Sequence, residues 1–226
     1  MASTAQDPNA VAGATTGRRT KPGSGATRER LLAAAREAFA KLGFASTRVA
    51  DIVALAGTSH GTFYTYFDDK RDALLALTQE AASAIYGAAV APLTGSDARS
   101  PRDSIRARLT IFFRIYGEWW DVVRTWDHAS AIHPEVDELR GRIRASIVEQ
   151  LCQLLARDPE LRPVDGRLDL EIAAIALTAM VEEFAGRWFA LGRALGTTEI
   201  DQLTALCAGA LYASTAAGAQ GQDSRG

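Results

Sequence analysis

Apolar residues fall at three- and four-residue intervals along most of the chain from Thr27 onward, and no stretch alternates apolar and polar at a period of two. The first spacing gathers side chains on one face of a helix, whereas the second would mark a half-buried strand, so the pattern predicts an all-α fold. Leu31, Leu32, Ala35, Ala38, Phe39 and Leu42 form the first stripe, with Thr27 placed to cap it and Gly43 to end it. Val49, Ile52, Val53 and Ala56 make the inner face of a second helix capped by Thr47. Gly57 closes that helix, because a sharp turn calls for a residue tolerant of positive φ. Ser59 then caps a very short third helix running to about Tyr66, which leaves Phe63 and Phe67 to face a small core. Asp69, with Asp72 three residues on, caps a fourth helix that continues through Leu74, Leu77, Ala81 and Ile85.

Beyond the turn-rich Pro92–Pro101 region the helical spacing resumes with Ile105, Leu109, Phe112 and Tyr116, and a break is expected near Gly117. Pro134, at a first-turn position, opens a helix carrying Val136, Leu139, Ile143, Ile147 and Leu151 that ends near Asp158-Pro159. The segment from Leu168 to Leu191 is apolar on two faces: Leu168, Ile172, Ile175 and Ala179 on one, Ala173, Leu177, Phe184 and Trp188 on the other. Such a helix must be covered on two sides, and a second copy of the chain is the expected cover. A last helix runs from Ile200 to about Ala213. The resulting organisation is a helix-turn-helix unit over residues 27–72 and a larger helical body over 73–216, with disordered tails at 1–26 and 217–226.

Composition changes this picture little, since 47% apolar and 23% charged residues are ordinary for a globular protein. The net charge of -2 conceals a split: residues 1–72 carry ten Lys/Arg against seven Asp/Glu, and the remainder fifteen against twenty. A basic front on an acidic body is what a chain needs if only its front meets phosphates. Cys152 and Cys207 sit far apart inside apolar helical patterns and read as free thiols in a reducing cytoplasm. No uninterrupted apolar run approaches the ~18 residues of a membrane span. Arg18 and Arg19 are followed by no apolar core, so they are not an export signal. With Lys21 they leave two readings open, a basic arm for the minor groove of DNA and a solvated tail.

The chemistry concentrates between Thr47 and Lys70. An α-helix fits the major groove, where each base pair shows its own set of donors, acceptors and methyls. The start of the third helix supplies Ser59, His60, Gly61 and Thr62, all short or flat, while Tyr64 and Tyr66 can bring hydroxyls to phosphates. Thr47 at a helix start and Lys70 at the next are candidate phosphate contacts. The run from Thr27 to Leu75 resembles the DNA-binding domain of TetR-family transcriptional regulators. The elements that carry the likeness are ERLLAAAREAFAKLGF, TRVADIVALAG and GTFYTYFDDKRDALL. By this resemblance Thr47, His60, Gly61, Thr62, Tyr64, Tyr66 and Lys70 match DNA-contacting positions. Arg48 stands where Thr is frequent in that family and adds a further candidate contact; Asp68 stands where Pro is frequent.

Other motifs compete less well. Gly57-Thr58-Ser59-His60-Gly61 fits G-x-S-x-G, but a nucleophile elbow requires a strand-to-helix turn and the pattern contains no strand. His60, His128 and His133 lack a metal-ligand spacing, so neither a metal nor a cofactor is expected. Of the adjacent Glu182 and Glu183, one should face solvent and the other a cavity. Phe112, Tyr116, Trp119, Trp120, Trp126, Phe184 and Trp188 are candidates to line that cavity, although ordinary core packing accounts for the same spacing. The family resemblance implies a homodimeric repressor that binds double-stranded operator DNA and is released by a small apolar effector. A ligand-binding relative without DNA binding is the second reading, and an esterase-like enzyme a remote third.

Overall fold

A computed structural model describes residues 24–93, 100–158 and 169–212, and these form nine α-helices without a strand. In chain order they are α1 Ser24–Leu42, α2 Val49–Ala56, α3 His60–Tyr66, α4 Lys70–Val90 and α5 Pro101–Glu118, then α6 Trp120–Ser130, α7 Pro134–Ala156, α8 Leu170–Ala190 and α9 Thr197–Leu211. Arg18, Arg19, Lys21 and Leu168 lie outside the described residues. Residues 24–26, expected to belong to a disordered tail, instead extend α1 by three residues ahead of Thr27.

The first three helices close on one core. Leu31, Leu32, Ala35 and Phe39 of α1 meet Ile52, Phe63, Phe67 and Leu74, all almost inaccessible to solvent. Burying each large member stabilises the fold by about 1.5–3 kcal/mol. Leu42, assigned to the same stripe, is 49% exposed. The stripe ends at Phe39 because the chain turns away at Gly43, whose φ of 76° is left-handed.

The boundary expected at residues 72/73 falls inside α4, so the unit and the body share that helix. Its Ala73, Leu74, Leu77, Ala81 and Ile85 are buried, and it packs against α1, α5, α6 and α7. Among the described residues, only α4 is long and apolar enough to cross a membrane. The buried face of α4, with Ala73, Leu74, Leu77, Ala81 and Ile85, packs against these four neighbours.

The helix break expected near Gly117 occurs at Trp119, which separates α5 from α6 with φ -110° and ψ 12°. Gly117 itself is helical, and its role is close approach: a Cβ there would sit 3.0 Å from the Phe189 ring of α8. In α8, Ala173, Ala174, Leu177 and Ala185 face inward, and α9 buries Ile200, Leu203, Cys207 and Leu211, chiefly against α5. Ile172 and Ile175 of α8 are 65% and 50% exposed, and Leu206 of α9 is 60% exposed. These three side chains leave apolar surface exposed on α8 and α9.

Candidate nucleic-acid interface

The turn between α2 and α3 follows from local chemistry. Arg48 precedes α2 in extended conformation, and its N–H donates to the Asp51 carboxylate at 2.8 Å. At the other end Gly57 is left-handed, with φ 60°. Its N–H donates to the Ala54 carbonyl, and that of Thr58 to Val53, so the last turn of α2 is closed by a Schellman motif. Ser59 caps α3: its Oγ accepts from the Thr62 N–H at 3.2 Å and lies 3.0 Å from the Thr62 hydroxyl. Phe63 and Phe67 anchor α3 in the core.

With those anchors fixed, α3 presents His60, Gly61, Tyr64 and Thr65 outward, with Thr62 and Tyr66 half-buried at the margin. Tyr64 packs edge-on against Phe63 at 5.5 Å. Thr65 was not singled out from the sequence, though its place four residues after Gly61 puts it on the same face; its hydroxyl donates to the Gly61 carbonyl. Gly61 has ordinary backbone angles, and a Cβ there would meet nothing nearer than the Ser59 Oγ at 3.8 Å. Nothing inside the chain requires glycine at this position.

Two residues assigned to phosphates turn inward, which corrects the sequence reading of their side chains. The Thr47 hydroxyl is buried and donates to the Gly43 carbonyl at 2.8 Å, and Arg48, not the expected Thr47, is the residue that caps α2. The Lys70 ammonium donates to the carbonyls of Phe44, Ala45 and Thr47 at 2.7, 3.0 and 2.8 Å and sits over the Phe44 ring. Burial lowers the Lys70 pKa, against the opposing pull of the Asp69 carboxylate. Lys70 thus fastens the α1–α2 turn to the start of α4. Asp69 caps α4 by accepting from the amides of Arg71 and Asp72 at 2.7 and 3.0 Å. Burial acts to raise its carboxyl, but bonds from Arg71 and those amides outweigh it and hold the group below the usual range. The Asp68 N–H donates to the Asp72 carboxylate at 3.2 Å, a bond that proline at this position could not make.

The reading unit is also tied to the body. Arg36 of α1 forms a two-pronged pair with Asp121 of α6, both contacts at 2.7 Å, and its guanidinium lies 4.5 Å above the Trp119 ring. A bidentate pair of this kind fixes orientation as well as distance. Arg71 reaches Glu135 of α7 at 2.9 Å, and the Phe44 ring meets His133 edge-on.

Within the body a cavity of about 350 Å³ lies among α4, α5, α7, α8 and α9. Its wall is mainly aliphatic, with Ile105, Leu109, Ile147, Leu151 and Leu177, and includes the polar groups of Tyr86, Arg108 and Glu182. Glu182 accepts from the Tyr86 hydroxyl at 2.7 Å and from Arg144 at 2.9 Å, while Glu183 faces outward and pairs with Arg187. Burial and the neighbouring Glu182 carboxylate push the Tyr86 pKa well up, so the phenol stays a donor. Burial likewise pushes the Cys207 thiol on the same wall up to about 11.

Of the seven aromatic candidates only Phe112 lines this cavity. Tyr116 and Trp120 stack with Phe189 behind it, Phe113 meets Phe184 edge-on, and Phe184 stacks on Trp188 at 5.1 Å. Trp119 lies beneath Arg36, and buried Trp126 lies beneath Arg140. Tyr116, Trp120, Phe184 and Trp188 pack ring on ring, and Trp119 and Trp126 are covered by arginines, which helical spacing alone does not reveal.

Comparison with known proteins agrees with this layout. Residues 31–77 match the family model of bacterial regulatory proteins, tetR family. The chain is 28% identical over 183 residues to the probable HTH-type transcriptional regulator ArpR of Pseudomonas putida, covering 77% of this chain and 85% of that protein. With the HTH-type transcriptional regulator TtgR, also of Pseudomonas putida, the identity is 27% over the same shares. The fold matches Salmonella enterica GusR with a TM-score of 0.69 at 23% identity, over 86% of this chain and 99% of GusR. A tetR-family regulatory protein from Rhodococcus RHA1 matches with a TM-score of 0.64 at 21% identity, over 83% and 98% of the two chains.

Proposed function

This chain is a TetR-family transcriptional regulator, and we propose that it acts as a cytoplasmic homodimeric repressor that leaves its operator when a small, largely apolar molecule fills the body cavity. The observation that carries this reading is the course of α4. Its first residue, Lys70, is bound into the turn that sets α2 and α3, and its last turns supply Tyr86, Ala89 and Val90 to the cavity wall. A molecule between those last turns and α5 thus acts on the helix that carries the reading unit. Ligand and operator affinities are then coupled reciprocally.

In this proposal His60, Gly61, Thr62 and Tyr64, with Thr65 beside them, meet the major groove, and Arg48 and Tyr66 reach the flanking phosphates. Thr47, Ser59 and Lys70 hold that surface in place. Ile172, Ile175 and Leu206 lie on the face that a second copy covers, so that α8 and α9 of two chains form a four-helix interface. The two α3 helices then enter successive major grooves about 34–36 Å apart on a quasi-palindromic site. Purified full-length chain should shift a fragment of its operator as a dimer, with an affinity that falls steeply as salt rises. Failure to retain any genomic fragment at low salt would remove the DNA-binding reading.

A further inference from the structure

The charges around the cavity are unevenly satisfied. Glu182 is met by both the Tyr86 hydroxyl and the Arg144 guanidinium, and Asp158, at the far end, accepts from the Tyr212 hydroxyl. Arg108 is different. It is half-buried on the wall, and its Nη1 donates to the carbonyls of Ala89 and Ala91 at 2.7 and 3.0 Å. Among the described residues no carboxylate pairs with it, and its Nε and Nη2 have no hydrogen-bond partner. A guanidinium stays charged in such surroundings, and its flat fork of donors matches the two oxygens of a carboxylate.

The rest of the wall selects the other end of the molecule. Ile105, Leu109, Ile147, Leu151 and Leu177 offer branched aliphatic surface, and Phe112 is the single aromatic ring beside Tyr86 and Tyr212. A volume of about 350 Å³ holds about a dozen non-hydrogen atoms at roughly 30 Å³ each, water's share of the liquid.

We propose that the effector is a medium-chain aliphatic carboxylate, its acid group received by Arg108 and its tail laid along the aliphatic wall. The inference rests on the cavity being the effector site. It also assigns Arg108 a second part, because the same guanidinium holds the last carbonyls of α4. A carboxylate that claims the free side of the fork fixes or draws Arg108, and the end of α4 moves with it.

The test uses the full-length chain with three probes of one length: decanoate, decan-1-ol and decylamine. Isothermal titration should show decanoate binding at least tenfold tighter than decan-1-ol, with decylamine weakest. Arg108→Gln should bring the acid down to the level of the alcohol, and Arg108→Lys should restore part of the difference. The proposal is overturned if the unaltered chain binds the alcohol or the amine as tightly as the acid, or if R108Q keeps the preference. The comparison in the unaltered chain stands even if the substitutions weaken the fold. Should none of the three bind, or should Leu177→Trp, which fills the cavity, leave decanoate binding unchanged, the cavity reading falls with it.

Discussion

At the N-terminal end of α4 the Asp69 carboxylate takes the amides of Arg71 and Asp72, and the Lys70 ammonium closes on three carbonyls of the preceding turn. At the C-terminal end the chain leaves the helix at Ala91 with φ -57° and ψ 152°, and among the described residues no amide caps it. The carbonyls of Ala89 and Ala91 there rest on Arg108, a side chain of the cavity wall. One end is therefore fastened by several short bonds between neighbours in the same unit, and the other by side chains of the cavity wall, Arg108 on its carbonyls and Glu182 on Tyr86, that an incoming molecule can reach. A helix held this way passes on a push at its loose end as a displacement of whatever is fixed to the tight one.

The comparison breaks most visibly where the tight end meets its core. Phe63→Ala should cost about 3–5 kcal/mol in chemical denaturation and abolish operator binding, since α3 loses its anchor. Lys70→Met removes the clasp without opening a cavity, leaving three carbonyls short of a donor, and should cost about 1–3 kcal/mol. If Lys70 served a phosphate instead, the same change would leave stability unaltered and lower only the salt dependence of DNA binding. Gly61→Ala separates folding from reading: it should raise stability by about 0.5–1 kcal/mol. Operator affinity should meanwhile fall by about tenfold, the scale of one faulty contact in a protein–DNA interface.

The smallest effect concerns acid. The Asp69 carboxyl lies below its ordinary range in the fold, so its contribution is complete above the pKa of the unfolded chain. That contribution is lost as pH falls through the lowered value in the native state. Asp69→Asn keeps a capping oxygen but carries no charge to titrate, so it should lower stability at neutral pH, converge with the unaltered chain in acid, and so flatten the acid side of the stability profile.

These differences also explain what the sequence made legible. Caps and turns depend on neighbours within a few residues, so Ser59, Gly57, Asp69 and the helix of Phe63 could be read directly from the pattern. The directions of Thr47 and Lys70 depend on how α1, α2 and α4 meet; Lys70 reaches a carbonyl 26 positions away. Similarly, periodicity marked Phe112, Tyr116 and Trp120 as apolar but carried no information on whether their neighbours fill the space between them. The Glu182-Glu183 pair announced the cavity because a carboxylate in an apolar stripe demands a partner, and the structure puts Glu182 on its wall. Arg108 gave no such sign, as an arginine on an amphipathic helix ordinarily faces water.

The stacked rings behind Phe112 give the cavity one unyielding side. Closely packed aromatic groups compress little, and Gly117 brings α5 so near the Phe189 ring that no slack remains there. The opposite side is α4, whose last carbonyls rest on Arg108 and whose Tyr86 is bonded to Glu182. On the proposed effector reading the body acts as a caliper with a fixed jaw and a sliding one, each methylene beyond a comfortable fit being measured out on α4. All four tryptophans, Trp119, Trp120, Trp126 and Trp188, stand away from the cavity lining and none is on α4. Their emission should accordingly stay almost constant as ligands of increasing length bind, while a dye placed on α4 follows the length.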